Sequence, residues 1–438
     1  MTKEARKHVF VLGYDDAHAP YLRAIPDADE FEFHPLLHSD ELVYLESYDI
    51  DEKLEDARKV LRESDVDPDA IICHWDFPVV SMLSILCGEY GLPAPTLEAS
   101  LRCSHKYWSR LSQHEVAPEN TPGFCAFDPF DDQALEQISL DFPFWIKPIK
   151  GYGSALGFKI TSAEGFEKAM KLVREEIDRL GEGIDAILHH VDLPDDVADV
   201  RGNYMIAEEF VNGKEFAPEG RRQNGEYRSH GFFDMVRAEN GKSFLRYEYP
   251  SRTPDSIRER ADDIAARVLE HIGFDDGCFN VEFFWDREED RLWIIEINPR
   301  ISQSHCDRFW KVDGMSNHEV AVHVALGDEP RFSNGGGQFR RAAKYHYRRY
   351  DKSDAVATRV PGEEDLEKLK ERQPETKVQV KLEEGMRLSE LLDEDVYSYA
   401  LAELTIGADS VAEMEQKYAE ATSLLPFEFE PVDDGDDG

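Results

Sequence analysis

Residues 278–300 read CFNVEFFWD, then REEDR, then LWIIEINPR. Two apolar runs flank a short polar turn, which is the pattern of a β-hairpin. With Glu282 set opposite Glu296, the loop between Trp285 and Trp293 has a hairpin's length. Side chains alternate faces along a strand, so Glu296 and Asn298 point the same way, and Arg300 continues the alternation. Cross-strand partners share a face, so Glu282 joins them. Like charges placed opposite each other destabilise a hairpin, and burying them unpaired costs several kcal/mol more. A cation between them removes both penalties. Hard oxygen donors of this kind suit Mg²⁺ or Mn²⁺, held by one or two carboxylates together with phosphates. Arg300 could clamp a phosphate or a developing oxyanion.

Upstream, FPFWIKPI (142–149) and LGFKIT (156–161) form two strands joined by the loop KGYGSA (150–155). Gly151, Gly153 and Gly157 allow backbone N–H groups to approach phosphate, Ser154 adds a hydroxyl, and Lys147 supplies charge at the end of an apolar strand. No Gly-Lys-Ser/Thr opens a helix, so this is not a Walker loop. It reads as a flap between strands, or as an ordinary hairpin that carries a lysine. A third stretch, IAEEFVNGKEF (206–216), is an apolar strand running into Glu208, Glu209 and Val211, with Glu215 after a turn. Its backbone could bind an adenine and its carboxylate a ribose. Taken alone, an acidic strand end in an acidic chain is the favoured explanation.

In this order, the three stretches resemble the ATP-grasp superfamily. Its pattern is Lys-Pro with a Gly-rich loop, then Glu-x-x-Val/Leu with a glutamate seven residues after the first, then Glu…Glu-x-Asn-x-Arg. Here these are Lys147-Pro148 with 151–157, then Glu208, Val211 and Glu215, then Glu282…Glu296-Ile-Asn298-Pro-Arg300. The resemblance covers roughly 95–330. It implies that Lys106 and Lys147 bind ATP phosphates and that Glu208 faces the adenine amino group. The backbone of Glu209 and Val211 then forms the adenine hinge, Glu215 binds ribose, and Glu282, Glu296 and Asn298 hold Mg²⁺. Arg300 stabilises the acyl phosphate and tetrahedral species. His105 stands where an acid usually precedes Lys106.

The fold implied is α/β and α+β multidomain. It has an N-terminal Rossmann-like domain (1–105), a lid (106–205), a central antiparallel sheet subdomain (206–330) and a C-terminal α/β extension (331–438) with an acidic tail. The activity implied is ATP-dependent ligation of a small carboxylic acid or amino acid to an amine through an acyl phosphate. Two alternatives are a biotin-carboxylase-like enzyme and a non-catalytic ATP sensor. Carboxylases of that type carry Arg-x-Gln-x-Glu-His, whereas Arg300-Ile-Ser-Gln-Ser-His305 has Ser302 and Ser304 at the Gln and Glu positions, and no Met-Lys-Met segment is present. A complete metal set is more than a sensor needs. Pocket candidates are His305, Arg308 and Lys311, Arg221, Arg222 and His230, and His74, Trp75 and Asp76. The last three end a first-domain strand, where open α/β sheets bind ligands.

Composition bounds the remainder. Of 438 residues, 91 are acidic and 50 basic, giving a net charge of −41 that argues against nucleic-acid or anionic-membrane partners. Acid spread along the whole chain is the signature of a surface adapted to high salt, hence a halophilic source. The six cysteines form no Cys-x-x-Cys pair, no apolar run reaches about 18 residues, and the N-terminus lacks a signal peptide. These features point to a reduced cytoplasm, with a homodimer possible. Strands are expected at 8–13 and 70–74, and helices at 51–64, 79–90, 104–117, 163–181, 254–272 and 317–326. Segments 229–236 and 243–249 should form a hairpin. Residues 182–204 read as a solvated loop, 350–376 as a charged linker, and the final DDGDDG as a solvated tail.

Overall fold

The structure is a computed structural model that describes residues 6–43, 45, 49–151, 156–391 and 397–432. The terminal DDGDDG and the loop residue Ser154 lie outside the described residues. The chain forms two compact units: Met1–Phe232 with Thr253–Cys306 and Met315–Ser333, and Phe233–Arg252 with Asp307–Gly314 and Asn334–Gly438.

The first unit opens with three parallel strands, β1 (Lys7–Tyr14), β2 (Phe31–His38) and β3 (Ala70–Ile72), in the order β2–β1–β3. β1 is apolar on both faces because both are covered. Phe10 and Leu12 pack with the helices Ile50–Glu63 and Val79–Tyr90, while Val9 and Val11 pack with Leu22, Ile25 and Val322. The helix read at 104–117 is two, Leu97–Ser104 and Lys106–Val116. His105 breaks the run with an extended ψ, and its ring caps the second helix by accepting from the Trp108 N–H at 3.2 Å.

Next come β4 (Phe124–Phe127), β5 (Phe144–Pro148), β6 (Phe158–Ile160) and β7 (Met205–Glu209), an antiparallel sheet ordered β4–β7–β5–β6. The helix Ala163–Leu188 covers it through Phe166, Met170, Val173 and Ile177, spaced for one helical face. This helix runs past the expected end at 181 because Ile184, Ile187 and Leu188 continue the stripe and bury in the core beside β1. A short helix, Asp195–Ala198, follows, anchored by buried Val197, so 182–204 is not simply a solvated loop.

β8 (Lys214–Gln223) turns through Asn224 and Gly225, both at positive φ, into β9 (Glu226–Arg237), whose far end lies in the second unit with β10 (Phe244–Tyr249). The chain returns through the helix Asp255–Ile272, β11 (Gly277–Asp286) and β12 (Arg291–Asn298). The strand order here is β12–β11–β8–β9, antiparallel where β11 meets β12 and β8. Phe216, Phe279, Val281, Phe283, Ile294 and Ile297 bury against Ile257, Ala261, Ile264, Val268 and Leu269 of the helix. One face of this sheet is therefore core, which leaves the other for the alternate, polar residues.

In the second unit, β13 (Arg341–Arg349), β14 (Ala355–Arg359), β15 (Lys377–Val380), β16 (Tyr399–Ala408) and β17 (Glu428–Pro431) follow. The order is β10–β13–β16–β15, with β14–β17 separate. The helix Val411–Leu424 seals one face with Met414 and Ala421. The expected hairpin of 229–236 with 243–249 is the β9–β10 pair, with Val236 opposite Arg246. Residues 350–376 are not a linker: they hold β14 and the helix Glu363–Arg372, pinned by buried Leu369. β2 escapes sequence reading because it is an edge strand with a proline and a mixed burial pattern.

Candidate active site

The site is built on the polar face of the β12–β11–β8 sheet. Glu282 lies directly opposite Glu296, and Asn280 opposite Asn298. On the other side of β11, Asn280 faces Glu219, and Phe284 faces Glu215. By alternation, Glu215, Glu219, Asn280, Glu282, Glu296 and Asn298 share one face. The hairpin is less regular than its sequence suggests, since the register shifts between Glu282 and Phe283 and Ile295 is passed over. β12 also ends at Asn298, and Arg300 sits in a turn whose N–H donates back to the Asn298 carbonyl at 2.9 Å. Its guanidinium still lies 3.5 Å from Asn298 Oδ1.

The carboxylates here are short of positive charge. Burial, Glu296 and Glu215 together push the Glu282 carboxyl up to about 8. Glu296 moves the other way: burial pushes it up, but Lys106, Lys147 and Lys150 outweigh that and hold it low. The Lys106 ammonium lies 3.0 Å from Glu296 Oε1 and donates to the Gly151 carbonyl at 3.1 Å. It thus ties the base of the Gly-rich loop to the carboxylate pair. Two carboxylates and an amide oxygen on one face, with one carboxyl retaining its proton for want of a counter-charge, fit a hard divalent cation.

Lys147, on β5, lies 2.9 Å from Glu208 Oε2, and the Arg110 Nε donates to Glu208 Oε1 at 2.8 Å. Burial pushes Glu208 up, yet these two cations bring it to about 2. Each Glu208 oxygen already meets one cation and keeps a second lone pair for a further donor. Arg110 also donates to the Ile294 and Ile295 carbonyls, each at 2.8 Å, where the register shifts. It is fully buried and went unnoticed in the sequence, although it lies one helical turn from Lys106 and so on the same face. The Glu209 N–H donates to the Gly123 carbonyl at 2.7 Å, and the strand ends there, before Val211.

Asp76 joins the first-domain strands to this face. It accepts from Lys150 at 3.0 Å and from the Arg300 guanidinium at 2.8 Å. Burial opposes its charge, but those two cations hold it well below the usual carboxylate range. Of the other candidates, His305 Nδ1 lies 2.6 Å from Glu219 Oε2, and Asn317 donates to Glu219 Oε1 at 2.6 Å. His230 lies 3.7 Å from Glu219. Glu219 is fully buried and was overlooked, although its place four residues after Glu215 on one strand puts it on the same face. Trp75 donates to the Gly13 carbonyl and His74 contacts Asp15. Arg221 and Arg222 are taken up by Glu329 and the Phe274 carbonyl, and Arg308 and Lys311 belong to the second unit.

A family model described as an ATP-grasp domain matches residues 140–307. The L-amino acid ligase from Bacillus licheniformis superposes with a TM-score of 0.74 at 17% identity, over 98% of this chain and 100% of that one. Biotin carboxylase from Campylobacter jejuni gives 0.59 at 14% identity, over 97% and 92%. The carbamoyl phosphate synthase large chain of Xylella fastidiosa is 31% identical over 116 residues, which are 26% of this chain and 10% of that protein. The chain therefore spans no more than a tenth of the length of the curated relatives it matches. The architecture is the ATP-grasp fold, α/β with a large antiparallel sheet. Over residues 140–307, the chain is similar to the ATP-grasp domain family.

Proposed function

We propose that this protein is an ATP- and Mg²⁺-dependent ligase that joins a small carboxylic acid or amino acid to an amine through an acyl phosphate, releasing ADP and phosphate. The observation that carries the reading is the cross-strand pair Glu282–Glu296 beside Asn298 and Arg300, faced by Lys106 and Lys147. Glu282, Glu296 and Asn298 would hold Mg²⁺, which when bound neutralises phosphate charge. Lys106 and Lys147 bind the phosphates, and Ser154 adds a hydroxyl from the loop. The backbone of Glu209 through Val211 receives the adenine, and Glu215 the ribose. Glu208 faces the adenine amino group and also orients Lys147. A substrate carboxylate attacks the γ-phosphorus and ADP leaves. An amine then attacks the acyl carbon and phosphate leaves, with Arg300 placed to stabilise the oxyanion. The chain's contribution is positioning and charge stabilisation.

The likeness to an L-amino acid ligase over nearly the whole chain supports amine ligation. Ser302 and Ser304, whose hydroxyls lie 3.2 Å apart, bring neither the amide nor the acid that the carboxylase pattern has at those positions. The reading extends to a salt-rich, reduced cytoplasm, supported by the −41 charge and by six free cysteines, five of them buried. No helix among the described residues is long and apolar enough to cross a membrane. A screen of acids and amines for ADP release tests the proposal. Glu296→Gln must abolish the ADP that the wild type forms, and turnover unchanged by that substitution would remove the metal assignment.

A further inference from the structure

A second cluster of donors lies where β1 and β3 end, made of residues that the nucleotide site does not use. His18 Nδ1 stands 2.7 and 2.9 Å from the two oxygens of Asp15, and His74 Nε2 stands 2.8 Å from Asp15 Oδ2. The two imidazoles are 4.4 Å apart between ring centroids. One donor atom from each of Asp15, His18 and His74 lies within 4.8 Å of the others. A third imidazole, His318, stands beside them, 5.8 Å from the His18 ring and 5.2 Å from the His74 ring. It is fully buried, and its Nε2 has no hydrogen-bond partner.

The hydrogen-bond roles expose a conflict. His18 Nε2 lies 3.3 Å from the Gln303 carbonyl, which can only accept, so that nitrogen carries the proton. In neutral imidazole the other nitrogen, Nδ1, then presents a lone pair, and it points at a carboxylate 2.7 Å away. Two acceptors at that distance require a cation between them, either a proton or a metal ion. The surroundings of His18 suit the metal, whereas the second nitrogen of His74, Nδ1, is buried without a partner. A ligating histidine ordinarily donates its second nitrogen to a carbonyl or carboxylate, as His18 does to Gln303. Two imidazoles and a carboxylate are a recurrent donor set for first-row transition metals, with positions left open for other ligands. The two Asp15–histidine donor pairs, now 2.7–2.9 Å apart, would open to about 3.3 Å around a tetrahedral ion with bonds of about 2.0–2.1 Å, and all three donors already lie within 4.8 Å of one another. His74 is 1% exposed and the other two side chains 13%, so the cluster is enclosed yet reachable.

We propose that Asp15, His18 and His74 form a binding site for a borderline divalent transition metal, Zn²⁺ foremost. It is separate in position and chemistry from the all-oxygen site at Glu282, Glu296 and Asn298, and it rests on none of the nucleotide assignments. The test uses the full chain, stripped with a chelator and titrated with Co²⁺ in high KCl and excess Mg²⁺, which occupy the acidic surface and the oxygen site. One equivalent of Co²⁺ should bind with the visible d–d bands of a nitrogen-ligated ion, and Zn²⁺ should displace it. Asp15→Asn, nearly isosteric, should weaken binding at least tenfold, and His18→Ala with His74→Ala by about 100-fold or more. Glu296→Gln should bind Co²⁺ as the wild type does. Absence of those bands in the wild type, or equal binding by Asp15→Asn, would overturn the proposal and leave a protonated His18 paired with Asp15. Should the double variant fail to fold, Asp15→Asn decides alone.

Discussion

Replacing Glu282 with Gln removes the carboxyl that the structure charges least willingly. In the unfolded chain this group titrates at about 4.5, and in the folded protein at about 8. Between those values the folded state holds one more proton than the unfolded state. Stability contributed by this group is thus complete below about 4.5 and is lost as pH rises toward 8, by up to about 1.4 kcal/mol per pH unit. Over the whole window the loss is on the order of 3–5 kcal/mol. Glu282→Gln keeps the shape and abolishes the titration. Urea denaturation at fixed high KCl, without divalent cations, at pH 5.5, 7 and 8.5 measures it. The variant should exceed the wild type by about 1.4 kcal/mol already at pH 5.5, and by several kcal/mol at pH 8.5. Adding Mg²⁺ with a non-hydrolysable ATP analogue should rescue the wild type at high pH and do little for the variant, because the metal replaces the missing counter-charge. Parallel stability profiles for the two proteins would refute the claim that Glu282 and Glu296 compete for cations.

Arg110→Met leaves the buried Glu208 carboxylate with Lys147 as its one cation and strands two strand carbonyls, and should cost about 3–5 kcal/mol in the same denaturation measurement. Lys147→Met should weaken nucleotide binding at least tenfold by calorimetry, on the order of the 1.5–3 kcal/mol assigned to one hydrogen bond with a charged group, with the far-ultraviolet spectrum unchanged. Asp76→Asn leaves both Arg300 and Lys150 without their anion, and should lower kcat by on the order of 10²-fold while nucleotide affinity moves little. Lowering KCl below about 0.1 M should melt the protein by unscreening its −41 charge. A melting temperature indifferent to salt would remove the halophilic reading.

The parts of this site that were legible in the sequence are those set by local periodicity. Alternation along one strand puts Glu296 and Asn298 on a common face, and the length of one turn sets Glu282 opposite, so the hairpin discloses its carboxylate pair. The register shift at Ile295 was not legible, because it answers to Arg110, a residue 185 positions away. The partners of Lys147 and Arg300 were hidden for the same reason. Glu208 meets Lys147 only through pairing of β5 with β7, and Asp76 reaches Arg300 across 224 residues. Helix 163–188 looked shorter because its last two turns bury in a different core from the turns before them. The segment 350–376 looked like a linker because charge masks the little it buries, Ala355, Ala357 and Leu369 among them. Arg110 and Glu219 were within reach, since each repeats the spacing of a neighbour already suspected, Lys106 and Glu215.

The most direct test of ligation through an acyl phosphate follows oxygen. Once an acid and amine pair is found that releases ADP, the acid is supplied with ¹⁸O in its carboxylate and the released phosphate is weighed by mass spectrometry. One ¹⁸O per phosphate, together with one amide per ADP, is the predicted result, and Glu296→Gln should yield neither. Phosphate carrying no label, or ADP formed at the same rate without any acid, would contradict it.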